Sequence, residues 1–268
     1  MIDLAPHNPY GLRLRAPVLA AAGCFGYGVE YVHSIERMRA GAIVTRSTSL
    51  APRRQRQPRL LETPAGLLIS GGWHNPGIEF VLAKHAPVWA GWDTPVVLSL
   101  VGANAEDFAT LAGALEGVEG VAGVELNLAE LPEQAVRITA AARRATQLPI
   151  LAKLPQAAAT ERLCAEVAAA GADALTLFAP PRAAVADASG ALVTGWLAGP
   201  AIRPLVLAGI AELAASVGVP MVACGGVASA EDAQQMLAAG AVAVQVGSAL
   251  LAAPELLGQI SAALATEE

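Results

Sequence analysis

The stretch "VPMVACGGVASAEDAQQMLAAGAVAVQVGSAL", Val219 to Leu250, carries the pattern from which the fold follows. It opens on a short apolar run around Val222, turns at Gly225-Gly226, and enters an alanine-rich segment with helical periodicity. Ser229 stands where an N-cap belongs, Asp232 follows three residues later, and Gly240 is a natural stop. A second apolar run around Val244 then ends at Gly247-Ser248. Both runs are continuous rather than alternating, as expected of strands covered on both faces. The unit is strand, turn, helix, strand, and the rest of the chain repeats it.

Six earlier runs have the same character. They are "APVLAA" near Val18, "GAIVT" near Ile43, "PVVLSLV" near Val97, "VAGVELNL" near Val124, "LPILAKL" near Leu151 and "ADALTLF" near Leu175. Between them lie helix candidates such as "NAEDFATLAGALEG", opening on Asn104, and "LPEQAVRITAAARRA", opening on Pro132. Eight alternations in 268 residues predict an α/β chain folded as a single (β/α)8 barrel. A doubly wound open sheet is the competing arrangement, but it expects a Gly-rich first turn that is missing here. No Pro/Ser-rich linker divides the chain, so residues 1–268 read as one domain. Two connections, Arg46 to Gly77 and Ala179 to Pro200, exceed ordinary βα loops and are expected to be lids or binding loops.

Composition narrows the class. Hydrophobic residues make up 54% and charged ones 15%, which supports a large core and argues against disorder. A net charge of −6 gives no footprint for nucleic acid. The dense basic segment "PRRQRQPRL", Pro52 to Leu60, reads as a solvated loop ahead of an anion- or partner-binding patch. Cys24, Cys164 and Cys224 lie far apart, without a CxxC pair, so no local metal motif is expected and the thiols read as reduced. The N-terminus lacks the apolar core of a signal peptide, and no run is long enough for a membrane span. A cytoplasmic enzyme without membrane contact is the expectation.

Barrel active sites lie at the C-terminal ends of the strands. The seventh and eighth ends, Gly225-Gly226 and Gly247-Ser248, are where barrels hold a phosphate on backbone N–H groups. Lys153 ends a strand otherwise built of Ile, Leu and Ala, where an ammonium needs a partner or a use. Catalytic amine, phosphate ligand, flavin partner and snorkelling surface lysine all remain open for it. Arg46 follows "GAIVT" directly and belongs in the barrel mouth. Glu125 and Asn127 alternate onto one face, so they work together if that face lines the barrel. Cys24 and Cys224 read as packing residues rather than nucleophiles. His74, in "GGWHNPG", is the histidine a long loop could bring over the site; His7, His33 and His85 have no motif around them.

With these residues in hand, the chain resembles the class 1 dihydroorotate dehydrogenases, FMN-dependent barrels of pyrimidine biosynthesis. The likeness runs from "PVLAAAGCFGYGVEY" and "GAIVTRSTSLAPR" through "GLLISGGWHNPG", "GVELNL" and "ILAKLP" to "GPAIRPLVL" and the Val219–Leu250 stretch. The resemblance implies an oxidoreductase acting on CH–CH groups, with a single FMN-binding domain over the whole chain. It places Ala21, Ala22 and Gly23 along the isoalloxazine, with Arg46, Ser47, Ser99 and Asn127 on the same cofactor. Lys153 would sit near the N1/O2 edge, and Gly199, Gly225, Gly226, Gly247 and Ser248 would hold the phosphate. His74 and Asn75 would face the substrate. One subclass of the family pairs with a flavin and iron–sulfur subunit, which implies such a partner here, and related barrels form homodimers.

The likeness fails on the substrate side. The family follows its fourth strand with Ser-Cys-Pro-Asn, whose cysteine moves the substrate proton; Ala129-Glu130-Leu131 stands there instead, in a loop shortened by about ten residues. Family asparagines are replaced at Ser99, Ile69 and Ala179, the last followed by Pro180. Losing several amide contacts at about 1–3 kcal/mol each would cost orders of magnitude in orotate affinity. An altered substrate is therefore expected, with Glu130, Asn127 and Lys153 as the candidate catalytic groups and His74 and Cys24 as rival proton donors. Glu130 could serve as acid or base if partly buried. Unorthodox dihydroorotate oxidation, an inactive flavin- or partner-binding paralogue, and a flavin-free phosphate-sugar lyase or isomerase are the competing readings.

Overall fold

The protein is described by a computed structural model covering residues 2–31, 34, 37–54 and 59–265. Two short strands, β1 (Ile2–Asp3) and β2 (Arg13–Leu14), pair antiparallel at the start. Then come β3 (Val18–Ala20), β4 (Ala42–Val44), β5 (Arg59–Thr63), β6 (Gly66–Ser70), β7 (Val96–Leu100) and β8 (Gly123–Asn127). The series continues with β9 (Ile150–Pro155), β10 (Ala174–Ala179), β11 (Arg182–Ala186), β12 (Leu192–Ala198), β13 (Met221–Cys224) and β14 (Ala243–Val246). Eight of these close into a parallel barrel in the order β10-β13-β14-β3-β4-β7-β8-β9. They are the eight apolar runs of the sequence, so the (β/α)8 reading holds and the open sheet is excluded.

Continuous apolar strands make sense once both faces are followed. One face of each strand packs outward on the helices, as Val18, Ala20, Ile43, Val124, Leu126 and Leu175 do. The alternate residues Leu19, Ala42, Val44, Val97, Leu151, Val222 and Ala243 fill the barrel floor, closed from below by Leu4, Leu12 and Leu14. The period of two fixes what lies above that floor. On β7 to β10 and β14 the next inward positions are Ser99, Glu125, Lys153, Thr176 and Gln245, all buried.

Helix boundaries follow their caps. The Asn104 side chain accepts from the N–H groups of Glu106 and Asp107, starting the helix Ala105–Gly113. Ser229 accepts from Asp232 N–H at the head of Ala230–Ala238, and Gly240 takes the left-handed φ of +117° that ends it. One start is displaced. The helix expected from Pro132 begins with a tight turn over Pro132–Gln134, and the α-helix proper spans Ala135–Ala145.

The two long connections are not separate loops. They supply β5, β6, β11 and β12, which join into one antiparallel sheet in the order β11-β12-β6-β5. Its β11–β12 turn is made by Asp187, whose carboxylate accepts from Ser189 and Ala191 N–H, with Gly190 at φ +82°. Arg59 bridges to Asp187 at 3.1 Å, so this residue of the basic segment ties the sheet together. Registers place Arg182 opposite Trp196, Trp196 opposite Ile69, and Ile69 opposite Leu60. Directly paired residues share a face, so these four form one row across the sheet.

Candidate active site

The C-terminal strand ends and the small sheet enclose a cavity of about 380 Å³. Its size is that of a small-molecule site. From the barrel come Ala21, Ala22, Gly23, Cys24, Arg46, Ser47, Asn127 and Lys153; from the seventh and eighth ends come Cys224, Gly225, Gly226, Gly247 and Ser248. The sheet and its loops add Leu60, Ile69, Trp73, His74, Trp196 and Gly199.

Lys153 is the buried cation at the cavity floor. Its Nζ donates to Gln245 Oε1 at 3.0 Å and lies 3.6 Å from Glu125 Oε1. Glu125 is fully buried, and its Oε2 accepts from Gln245 Nε2 at 2.6 Å and Thr176 Oγ1 at 3.2 Å. Its Oε1 has no hydrogen-bond donor, so it faces the ammonium as a bare charge. Burial opposes the Lys153 charge, yet Cys224, Glu125 and Cys24 outweigh it and hold the group above the usual lysine range. Burial first, then Cys224, pushes the Cys24 thiol up to about 12, against the pull of Lys153. Burial raises Cys224 as well. Both sulfurs are therefore thiols at neutral pH, and Glu125 is the standing counter-charge of Lys153.

Beside this pair, Asn127 Nδ2 donates to Ser47 Oγ at 3.1 Å, and Ser47 shares a hydrogen bond with Ser99 at 2.9 Å. The face shared by Glu125 and Asn127 is thus the barrel interior. Ser99 stands behind Ser47, off the cavity surface. Asn75 is also off it, consumed by its own loop. Its Oδ1 accepts from Ser49 and Gly77 N–H, while its Nδ2 donates to Ser49 Oγ and Trp73 O.

Glu130 departs furthest from its expected place. It is exposed, lies outside the cavity lining, and its Oε2 accepts from Trp73 Nε1 at 3.3 Å. The partial burial that an acid–base role requires is absent. With the loop after β8 so short, Glu130 turns toward the Trp73 loop rather than inward. His33 lies outside the described residues. His85 stacks on Tyr27 and packs near Trp89, away from the cavity. Two site features escaped the sequence reading. Gln245 had a usable signal, an amide inside "AVAVQVG", as informative as Lys153 in "ILAKL". Trp73 and Trp196 lay in the two long connections but show their meaning only once those connections pair.

The glycines at the strand ends form a tight cradle. A Cβ on Gly226, at φ +77°, would come within 2.5 Å of Arg203 Cβ and 2.7 Å of its backbone. One on Gly225, at φ +130°, would meet Ile202 Cδ1 at 2.8 Å. Gly199, at φ +109°, presses on Gly66, with its added Cβ only 2.6 Å from the Gly66 Cα. These turns bring bare backbone to the cavity where an anion can be held without a side chain.

Such a barrel, with a glycine cradle on its seventh and eighth ends and a buried ammonium beside it, is of the class that anchors a cofactor through its phosphate. A family model described as dihydroorotate dehydrogenase matches residues 6–267, and the chain belongs to that family. Similar proteins include the dihydroorotate dehydrogenase B (NAD(+)) catalytic subunits of Pelobacter propionicus and Desulforudis audaxviator. The first is 37% identical over 273 residues, covering 95% of this chain and 90% of the relative. The second is 35% identical over the same length, covering 95% and 89%. The corresponding subunit of a Geobacillus strain is 33% identical over 273 residues, covering 95% of this chain and 87% of the relative. The family's enzymes are FMN-dependent oxidoreductases of CH–CH groups, and the residues present fit FMN. The cradle of Gly199, Gly225, Gly226, Gly247 and Ser248 would hold its phosphate, and Lys153 would supply a buried cation in the same cavity. Among the described residues, no helix is long and apolar enough to cross a membrane.

Proposed function

We propose that the chain is the catalytic subunit of an FMN-dependent CH–CH oxidoreductase whose substrate is not dihydroorotate. FMN, when bound, supplies a two-electron acceptor for hydride. Lys153 offsets negative charge beside it, kept protonated by Glu125 and oriented by Gln245. Asn127, braced by Ser47, offers its amide at the cavity wall. The reading rests on one observation above all. Where a polar planar acid needs donors, the cavity presents Ile69, Ala129, Ala179 and Pro180. Among the side chains lining the cavity, His74 and the Cys24 thiol are the candidates to move the substrate proton, in place of Glu130. The relatives are named as catalytic subunits, which supports an electron-transfer partner subunit for this chain.

The test is anaerobic addition of dihydroorotate to the oxidised, FMN-loaded protein. The expected result is a flavin spectrum that does not bleach on the timescale of turnover. Rapid bleaching would overturn the altered-substrate reading. A protein that takes up no FMN would overturn the flavoenzyme reading itself.

A further inference from the structure

The lid sheet turns a composed surface toward the cavity. Along its shared row, Leu60, Ile69 and Trp196 all line the space, with Arg182 at the outer end. Trp73 joins them from the loop after β6, its ring centre 6.2 Å from that of Trp196 and inclined by 39°. Each tryptophan meets a charged side chain. Glu130 accepts the Trp73 indole N–H at 3.3 Å, and the Arg182 guanidinium lies 4.8 Å from the Trp196 ring centre. Both partners are exposed. Leu60, Ile69 and the two indoles leave aromatic and aliphatic surface toward the cavity. Leu60 remains 53% exposed, an unfavourable position for a large apolar side chain unless something covers it.

From this arrangement we infer that Trp73 and Trp196 form an aromatic wall that binds a flat, uncharged, conjugated ring compound over the cofactor. Glu130 is the positioning residue of Trp73. The inference rests on the flavoenzyme reading above and names the substrate class of the same site. Two indoles hold a conjugated ring by stacking and by the apolar area they cover. A hydride-exchanging cofactor needs such a ring to carry a C=C bond conjugated to an acceptor group. The same wall gives the short loop after β8 a reason to exist: it carries Glu130 to the Trp73 N–H.

Coumarin is a suitable probe, being flat, uncharged and bearing a C=C bond conjugated to a carbonyl. Calorimetric titration of coumarin into the FMN-loaded protein should give saturable binding, tighter than orotate gives. Trp73→Ala and Trp196→Ala should each weaken it by roughly tenfold or more, while Trp196→Phe, which keeps a ring, should bind nearly as wild type. Glu130→Gln keeps an oxygen that accepts the indole N–H and should retain binding; Glu130→Leu should lose it to about the extent of Trp73→Ala. Bound FMN, read at the flavin absorption maximum, should be unchanged in all five variants. Orotate binding more tightly than coumarin, or alanine variants that bind coumarin as wild type, would overturn the wall. Equal losses in Glu130→Gln and Glu130→Leu would overturn the positioning role. Failure of the wild type to bind FMN would strike the flavoenzyme reading instead, and coumarin titrated into the FMN-free protein would still read the wall.

Discussion

The two sides of the cavity are built on different physical terms. The barrel side is made of strand ends whose directions are set by a closed hydrogen-bonded ring, and its polar groups are buried and partnered with one another: Ser47 with Ser99 and Asn127, and Gln245 with Glu125 and Lys153. The lid side is a four-stranded sheet assembled from two loops, with apolar faces inward and its charges, Arg59, Glu130, Asp187 and Arg182, on the rim. The first can tolerate little change without leaving a charge or an amide unpaired. The second can be rewritten one side chain at a time. A family that keeps its cofactor while changing its substrate would be expected to change here, on the side where the cost of substitution is small. The sides touch at Gly66 and Gly199, where lid and cradle backbones meet too closely for a Cβ.

The largest expected effect lies in the cradle. Gly226→Ala forces a Cβ to 2.5–2.7 Å of Arg203, including its backbone, at a φ of +77°. The left-handed backbone alone costs about 1–2 kcal/mol, and the clash adds to it. Bound FMN after desalting should fall at least about tenfold. Retention of the full flavin complement would show that the seventh strand end is a turn and not an anion site.

Next comes the buried pair. Glu125→Leu strands the Lys153 ammonium in the barrel and should cost about 3–5 kcal/mol in urea unfolding of the FMN-free protein. Lys153→Met should cost a similar amount by stranding the carboxylate. The double variant should recover much of the loss, because the residues act on each other. Losses that simply add would mean that the 3.6 Å approach carries no coupling.

How much of this was legible in the sequence follows the same division. All eight barrel strands could be read because burial on both faces writes itself as an uninterrupted apolar run, and Gly225, Gly226, Gly247 and Ser248 could be placed because they end such runs. Lys153 stood out as a charge within one. The lid was not legible. β5 with β6 and β11 with β12 are local hairpins, but β6 pairs with β12 across more than a hundred residues, and nothing local in "GLLIS" announces "GWLA" as its neighbour. The direction of Glu130 was hidden for the same reason, since its partner Trp73 lies 57 residues away. Spacing after Asn127 placed Glu130 near the site but could not say which way a short loop would turn it.

Asn75 tests the lid as a structural unit. Its amide joins Ser49, Trp73 and Gly77, holding the loop that carries Trp73 and His74. Asn75→Ala should cost about 1–3 kcal/mol in urea unfolding by leaving those groups unmet. Coumarin affinity should fall as Trp73 loses its support, while FMN content stays constant. A loss of FMN instead would mean that this loop belongs to the cofactor side.

The smallest effect expected concerns Cys24, on the barrel side. Burial pushes its thiol up to about 12 in the folded protein, against an ordinary value of 9.0. The folded state therefore keeps a proton that the unfolded chain gives up. The associated stability is fully present below pH 9 and is lost as pH rises through the folded value. At pH 10 the loss from this group should be on the order of 1 kcal/mol. Cys224 and Cys164, also raised by burial, act in the same direction, and Lys153 adds its own loss only above its ordinary value of 10.5. Urea midpoints of wild type and Cys24→Ala, compared at pH 7.5 and pH 10, isolate the one thiol, and the variant should lose less on going to the higher pH. An equal loss in both would mean that Cys24 ionises as freely in the folded chain as in the unfolded one. It would then be available as a thiolate at the cavity wall, and the barrel side would hold a nucleophile where its burial argues for a neutral proton donor.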